Sequence, residues 1–122
     1  MKTLNQVKPE MGMSVSYHIG SDSYHQIIAR ITRNGRTIET LNAEIVLNGL
    51  TNDEWNALPE EVRLEQVAIC LAKQLEFLSE QYERTTLFNI YTLRNNGYYQ
   101  SKGIGCGWLE LNSTYEYFDP SF

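Results

Sequence analysis

MSVSYHIGSDSYHQIIARITRNGRTI, residues 13–38, is the stretch that decides the fold of this chain. Over residues 13–19 apolar side chains alternate with serine and histidine, the period of two that is typical of a strand with one buried face. Residues 20–23 supply a turn, and a second alternating run covers 27–32. Asn34-Gly35 predicts a tight turn, since both central residues of a type I′ turn need positive φ. The stretch therefore predicts three antiparallel strands joined by short turns, the third over 36–41.

Outside this stretch, further short runs are rich in strand-forming residues and are bounded by turn residues. They cover residues 43–47, 87–93, 98–99, 108–111 and 115–118. Asn48-Gly49 ends the first of them, and Asn95-Asn96-Gly97 predicts a hairpin turn after the second. The sequence therefore predicts about six to eight short strands in total.

One long helix is expected between the two groups of strands. Thr51 and Glu54 have the spacing of a capping box, which predicts a short helical turn. Pro59 suits the first position of the next helix, and Glu60 and Glu61 place negative charge at the positive end of its dipole. Apolar residues then recur at every third or fourth position: Leu64, Val67, Leu71, Leu75 (or Gln74), Leu78 and Tyr82. This period predicts an amphipathic helix over residues 59–84.

Together these elements predict an α+β fold. We expect a twisted antiparallel sheet or a small, partly open β-barrel with one long amphipathic helix packed on it. A length of 122 residues fits one domain with a core of its own. Residues 1–10 are expected to form an N-terminal arm and residues 11–122 a single domain, with residues 51–84 as a helical insertion.

The negative charge of the chain is concentrated in the predicted helical region. Residues 51–84 contain eight acids and three bases, an excess that equals the net charge of −5 of the whole chain. An acidic helix on a neutral body disfavours duplex nucleic acid, because phosphate contacts require clustered lysine and arginine. No apolar run approaches the roughly 20 residues of a membrane span, and no signal-peptide pattern is present, so a cytoplasmic protein with reduced thiols is expected.

Two segments carry a resemblance to a known family. The first contains Gly12-Met13, YHIGSDSY at 17–24 and NGRTI at 34–38; the second contains YTLRNNGYY at 91–99 and the terminal YFDPSF at 117–122. These segments resemble a group of small phage and prophage proteins, with His25 where that group usually has proline and Asn95 where it usually has lysine. The resemblance implies a phage origin and a bacterial host cell, and it implies no particular reaction.

The first functional hypothesis is a non-enzymatic phage accessory protein that binds and inhibits a host protein, such as a component of a bacterial defence system. The acidic helix is the predicted contact surface, and Glu76, Glu80 and Glu83 are its predicted partner-binding residues. Val62, Ile69 and Phe77 fall outside the main apolar stripe, so docking of a partner or formation of a homodimer through this helix is expected to use them.

The alternative hypothesis is a binding module for a nucleotide or single-stranded nucleic acid. Arginine side chains fork onto phosphate, and aromatic rings stack on bases. The candidate residues lie in and near the predicted hairpins: Arg30, Arg33, Arg36, Arg94, Tyr98, Tyr99 and Trp108. The competing interpretation is solvated strand faces over a tyrosine-filled core.

A small enzyme is the third hypothesis, and the sequence predicts neither catalytic residues nor a cofactor. The glycine-rich segment 103–107 contains Cys106 but lacks the Gly-Lys-Ser/Thr ending of a phosphate loop. Cysteine catalysis would need His18 or His25 as a base, and no acid is evident to orient either one. The scattered histidines and cysteines lack zinc-ligand spacing, so no metal is predicted, and His18 is expected to be exposed on the polar face of its strand.

Overall fold

A computed structural model describes residues 8–32, 34–80, 89–101 and 107–117. These residues form six strands and three helices. In chain order they are β1 (Ser14–Ile19), β2 (Asp22–Thr32), β3 (Thr37–Asn42), α1 (Ala43–Leu47), α2 (Asn52–Ala57), α3 (Glu60–Glu80), β4 (Asn89–Leu93), β5 (Tyr99–Gln100) and β6 (Trp108–Leu111).

The six strands form a closed antiparallel barrel in which each strand pairs with the next along the chain and β6 pairs with β1. The expected α+β fold with a barrel-like sheet is therefore found, but the barrel is closed rather than partly open. Closure depends on β6, whose residue Leu109 lies opposite Tyr17 of β1 on one side and Tyr99 of β5 on the other. Because every strand has two neighbours, this sheet has no unpaired edge strand.

The predicted tight turns are confirmed. Ile19 lies opposite Asp22 across the two-residue turn between β1 and β2. Between β2 and β3, Asn34 and Gly35 have φ of 57° and 87°, the positive values that a type I′ turn requires. Residues 115–118 were expected to form a strand; within the described residues they contribute a single bridge, between Tyr117 and Ser23.

The interior of the barrel is one of two hydrophobic clusters. Its buried members come from all six strands: Val15, Ile28, Ile38, Tyr91, Tyr99, Leu109 and Leu111. Gln26 lies among them and accepts hydrogen bonds from the hydroxyls of Thr40 (2.6 Å) and Tyr91 (2.8 Å). Burial raises the pKa of Tyr91, which keeps its hydroxyl protonated as a donor. The buried polar groups of this network thus satisfy one another.

The second cluster lies outside the barrel, between its β2–β3 wall and the helices. Ile27 and Ala29 face the helices while Ile28 faces the interior, as strand alternation requires. The register of β2 against β3 then shifts between Ile28 and Arg30, so that Ile31 rather than Arg30 packs against the interior cluster. Trp55 of α2 and Val67 of α3 complete this cluster, at 1% and 0% exposure. This second cluster, which we call the outer core, therefore fixes α2 and α3 on one side of the barrel.

The prediction of a fourth strand over residues 43–47 is wrong, because these residues form helix α1. Ala43, Val46 and Leu47 are buried, a spacing of three and four that puts them on one helical face. Asn48 ends the helix in the left-handed conformation, with its N–H bonded to the Glu44 carbonyl, and Gly49 follows at φ 94°. The sequence was misread as a strand because a periodic pattern of only five residues does not distinguish a helix from a strand.

The single long amphipathic helix expected over 59–84 is not what the structure shows. Helical residues are divided among three helices, and α1 contacts both β2 and β3 while α3 packs against α1 and β2. Among the described side chains of α3, Val67 and Cys70 are buried and Leu64 and Leu71 are partly buried. Among the described side chains of α3, those of Val67, Cys70 and Leu71 reach the cluster that lies between the barrel and the helices.

The capping box before α2 is confirmed. The Thr51 hydroxyl accepts a hydrogen bond from the Glu54 N–H, and the Glu54 carboxylate accepts one from the Thr51 N–H. Of the predicted N-terminal arm, residues 1–7 lie outside the described residues, as do 81–88, 102–106 and 118–122. No helix in the described parts of the chain is both long and apolar enough to cross a membrane.

Candidate functional site

The side of α3 that faces away from the outer core carries both apolar and acidic side chains. Val62 and Ile69 are exposed at 43% and 42%, and the exposed Glu65 and Glu76 share their side of the helix at spacings of three, four and seven residues. We call these four residues the acidic stripe. Large branched side chains at this exposure are the ones that a partner surface can cover.

Of the three predicted partner-binding glutamates, the structure describes the side chain of one. Glu76 is exposed on α3, and Glu80 is the last residue of that helix. The side chain of Glu80 and all of Glu83 lie outside the described residues. Val62 and Ile69, which the sequence placed outside the main apolar stripe, are exposed as expected; the side chain of Phe77 is not among those described.

The candidate nucleotide-binding residues are only partly brought together. The N–H of Leu93 donates to the carbonyl of Arg36 at 2.8 Å, so the β2–β3 and β4–β5 turns lie side by side, with Arg36 and Arg94 exposed. Tyr98 extends this surface, since its ring lies edge-on to Trp108 with centroids 5.3 Å apart. We call Arg36, Arg94, Tyr98 and Trp108 the hairpin surface.

Two other members of that candidate set serve the fold. Arg30 is held by Glu39 in a forked ion pair, with Nε–Oε2 and Nη2–Oε1 distances of 2.8 and 2.7 Å. Tyr99 is buried in the barrel, and its hydroxyl donates to the carbonyl of Gly35. Arg33 lies outside the described residues. Neither Arg30 nor Tyr99 therefore offers a free contact at the hairpin surface.

His18 is engaged on both ring nitrogens, although the sequence suggested a merely exposed residue. Its Nε2 lies 2.7 Å from the Glu110 carboxylate, and its Nδ1 lies 2.7 Å from the Ser23 hydroxyl. Trp108 packs against the imidazole with ring centroids 4.5 Å apart. The sequence contained half of this arrangement, because the tight turn at 20–21 places His18 opposite Ser23. Glu110 could not be found, since its position depends on how β6 pairs with β1.

The Ser23–His18–Glu110 arrangement has the elements of a proton relay. A carboxylate only accepts hydrogen bonds, so Nε2–H donates to Glu110 and, in the neutral imidazole, Nδ1 accepts from the Ser23 hydroxyl. A serine nucleophile must also be open to a substrate. Ser23 is 5% exposed, and its backbone is paired with Tyr117 in both directions. This backbone pair, together with the hydrogen bonds of the Ser16 hydroxyl to Ser113 and to the Tyr115 carbonyl, fastens the 113–117 segment against β1 and β2.

Neither a reactive cysteine nor a group of metal ligands is found among the described residues. Cys70 is buried in the outer core, and burial raises the pKa of its thiol, which disfavours a reactive thiolate. Cys106 lies outside the described residues. Within the described ranges, no group of three or more histidine, cysteine, aspartate or glutamate side chains is placed to hold a metal ion.

Neither this chain's sequence nor its structure identifies a relative. Comparison with models of protein families gives no match, and neither the curated proteins nor the solved structures contain a match to this chain. The function is therefore inferred from the acidic stripe and the hairpin surface.

Proposed function

We propose that this protein is a non-enzymatic binding protein that docks on a basic surface of a protein partner through the acidic stripe of α3. The observation that carries the proposal is the exposure of Val62 and Ile69 on the same side of α3 as Glu65 and Glu76. Apolar side chains supply the area that a stable contact buries, while surrounding charges select the partner and speed its approach.

Charge decides which kind of partner fits. Over its 21 residues α3 carries five glutamates against Arg63 and Lys73. Arg63 is already engaged, because it donates to the backbone carbonyls of Asn56 and Leu58. Two acidic stripes would repel each other, so a homodimer through this surface is disfavoured relative to a basic partner. In the sequence, Glu80 and Glu83 follow Glu76 at spacings of four and three residues.

The resemblance of the hairpins to small phage proteins suggests what the partner is. A phage protein without a reaction of its own can act by occupying a host protein. We therefore propose that the partner is a bacterial host protein, such as a component of a defence system, that the encounter takes place in the host cytoplasm, and that binding inhibits the partner.

Affinity capture from host lysate with matched charge variants tests the proposal. The Glu65→Lys/Glu76→Lys variant should lose at least about tenfold of the captured partner, since two attractive pairs become repulsive. The control variant, Glu10→Lys/Asp53→Lys, changes the net charge by the same amount at exposed positions away from the stripe and should retain the partner. Equal capture by both variants would place the contact elsewhere.

A neutral variant separates the apolar contribution from the charge. Val62→Ser/Ile69→Ser should weaken capture without altering its dependence on salt, whereas the lysine variant should alter both. Light scattering should give a monomer. A dimer that the serine variant dissociates would assign the stripe to a second copy of the chain instead.

The hairpin surface supports a second candidate function, binding of a nucleotide or single-stranded nucleic acid. The specific observation is that Arg36 and Arg94 lie on adjoining turns, with Tyr98 and Trp108 in contact beside Arg94. Titration with oligothymidylate should then quench Trp108 fluorescence, and Arg94→Gln should weaken binding and lower its salt dependence. Lys73→Gln, which removes one positive charge from α3, is the matched control.

A further inference from the structure

The exposed residues of α3 recur in steps of three and four along one line. Val62, Ile69 and Glu76 are seven residues apart, and Glu65 and Ala72 lie between them. All five are exposed. A step of seven residues returns to within about 20° of the same direction on a helix, so these residues form a nearly straight line. We call this line the heptad seam. It adds Ala72 to the acidic stripe and extends about 21 Å along the helix axis.

The heptad seam is separate from the side of α3 that packs on α1. The side-chain amide of Gln66 donates to the carbonyl of Val46 at 3.2 Å, and the thiol of Cys70 donates to the carbonyl of Ile45 at 3.8 Å. Helix α1 therefore lies along the side of α3 that carries Gln66 and Cys70. On the other flank of the seam, Ala68 is exposed and small. A partner element can thus lie along the seam without displacing α1.

A recurrence of seven residues is the pattern that one helix presents to another. In such packing, a side chain of the partner helix enters a hole between residues of the facing helix. Two holes follow one another along the seam, the first between Val62 and Ile69 and the second between Ile69 and Glu76. Ala72 borders the second hole, and its small side chain lets the two backbones approach closely. The spacing therefore favours a helical partner over an irregular surface.

Charge decides which kind of helix fits. Glu65 and Glu76 occupy seam positions that are usually apolar in a coiled coil. A lysine or arginine on the facing helix compensates these carboxylates, whereas an acidic side chain is repelled. Val62 and Ile69 require apolar side chains opposite them. With five glutamates against two bases, a second copy of α3 meets these requirements poorly.

We propose that the partner element that docks on the acidic stripe is a basic amphipathic α-helix, packed lengthwise along the heptad seam. Its apolar side chains contact Val62 and Ile69, and its lysine or arginine side chains lie beside Glu65 and Glu76. This inference rests on the proposed docking function of the stripe, and it adds the secondary structure and the charge pattern of the partner element.

Binding of designed peptides to the full-length protein tests the proposal. The probe is a fluorescein-labelled, alanine-rich peptide of three heptads, with leucine at the first and fourth positions and lysine at the fifth and seventh. This peptide should bind saturably in fluorescence anisotropy. A shuffled peptide of the same composition, whose leucines no longer share one helical face, should bind at least about tenfold more weakly. Equal binding of the two peptides would reduce the effect to charge attraction and overturn the proposal.

Two exposed alanines of α3 locate the bound helix. Ala72→Gln places a longer side chain on the seam and should weaken binding of the leucine-lysine peptide about fivefold, because it prevents close approach. Ala68→Gln makes the same change beside the seam and should alter the affinity little. Glutamine is a good helix former, so both variants should keep the fold. Equal weakening by the two variants would indicate a broad contact surface in place of a helix along the seam, and would overturn the proposal.

The outcome is separable from that of the proposed function. If neither peptide binds while lysate capture still depends on Glu65 and Glu76, the stripe docks on a surface other than a helix, and only the helical partner is overturned. If the leucine-lysine peptide binds along the seam and no host protein is captured, the helical partner is supported and the host protein is not. A dimer of the protein that this peptide dissociates would make a second copy of α3 the occupant and overturn the basic helix.

Discussion

Gly107 lies immediately before β6, where the chain passes against the backbone of β1. A Cβ atom at this position would lie 2.0 Å from the carbonyl oxygen of His18 and 2.9 Å from the Cβ of Ile19. Backbone cannot move aside as a flexible side chain can, so Gly107→Ala should force β6 away from β1. We expect a loss of about 3 kcal/mol in the free energy of unfolding, measured in urea.

A second glycine provides the control for Gly107. Gly49 has φ 94°, but no heavy atom lies within 4 Å of the position that a Cβ would take. Gly49→Ala should therefore cost only the strain of a left-handed backbone, about 1 kcal/mol. Equal losses at both positions would mean that close approach to β1 is not what requires glycine at 107.

His25 gives the protein a pH-dependent stability. Burial lowers the pKa of its imidazole below the ordinary value of 6.5. The unfolded chain then binds more protons than the folded one between the two pKa values, so this contribution is complete above 6.5 and is lost as the pH falls toward the folded-state pKa. In His25→Gln the free energy of unfolding should fall less over this window than in the wild type. If the free energies of unfolding of the wild type and His25→Gln fell by the same amount from pH 8 through this window, His25 would not be the source of the pH dependence.

At the scale of the elements, α2 depends on its capping box. The helix is six residues long, too short to be stable alone, yet it holds Trp55 in the outer core. Thr51→Ala removes the hydroxyl that accepts from the Glu54 N–H and should cost about 1 kcal/mol of stability in thermal or urea unfolding. Thr51→Ser keeps the hydroxyl and should lose little. A loss in the serine variant as large as in the alanine variant would assign the effect to the Thr51 methyl group.

The elements also show which parts of the fold the sequence could predict. Long alternating runs and the Asn34-Gly35 turn predicted β1 to β3, because their periodicity extends over many residues. Residues 43–47 were too few for this, and α1 was missed. Barrel closure could not be predicted either, since it depends on the pairing of β6 with β1 between residues such as Leu109 and Tyr17, which are far apart in sequence.

The same limit applies to the candidate sites. The exposure of Val62 and Ile69 followed from their positions in the helical period, so the acidic stripe was within reach of the sequence. The cavity lined by His25, Asn52 and Glu116 could not be predicted, because these residues come from three segments that only the tertiary structure brings together. Local patterns predict which face of an element is exposed, whereas a site made by distant segments requires the packing itself.

At the scale of the whole molecule, the strands of the barrel pair over unequal lengths. β2 forms six residue pairs with β1 and six with β3. Among the described residues, β5 contributes two pairs with β4 and a single pair, between Tyr99 and Leu109, with β6. The helices and the outer core add further contacts on the β2–β3 side. Opening the barrel at β5 therefore breaks the fewest strand pairs among the described residues.

Native-state hydrogen exchange should reveal this asymmetry. Opening at β5 breaks few interactions, so the amides of Tyr99 and Gln100 should exchange through local opening, about tenfold or more faster than the amide of Ile28, which is bonded to the Met13 carbonyl at 3.0 Å. The Ile28 amide should require global unfolding, which exposes more surface, so its exchange should depend more steeply on denaturant concentration than that of Tyr99. Equal dependence of the two amides would mean that both exchange through one opening. Uniform protection across β2 and β5 would mean that the barrel opens as a single cooperative unit. Closure by β6 would then make the short pairing of β5 as stable as the long pairing of β2.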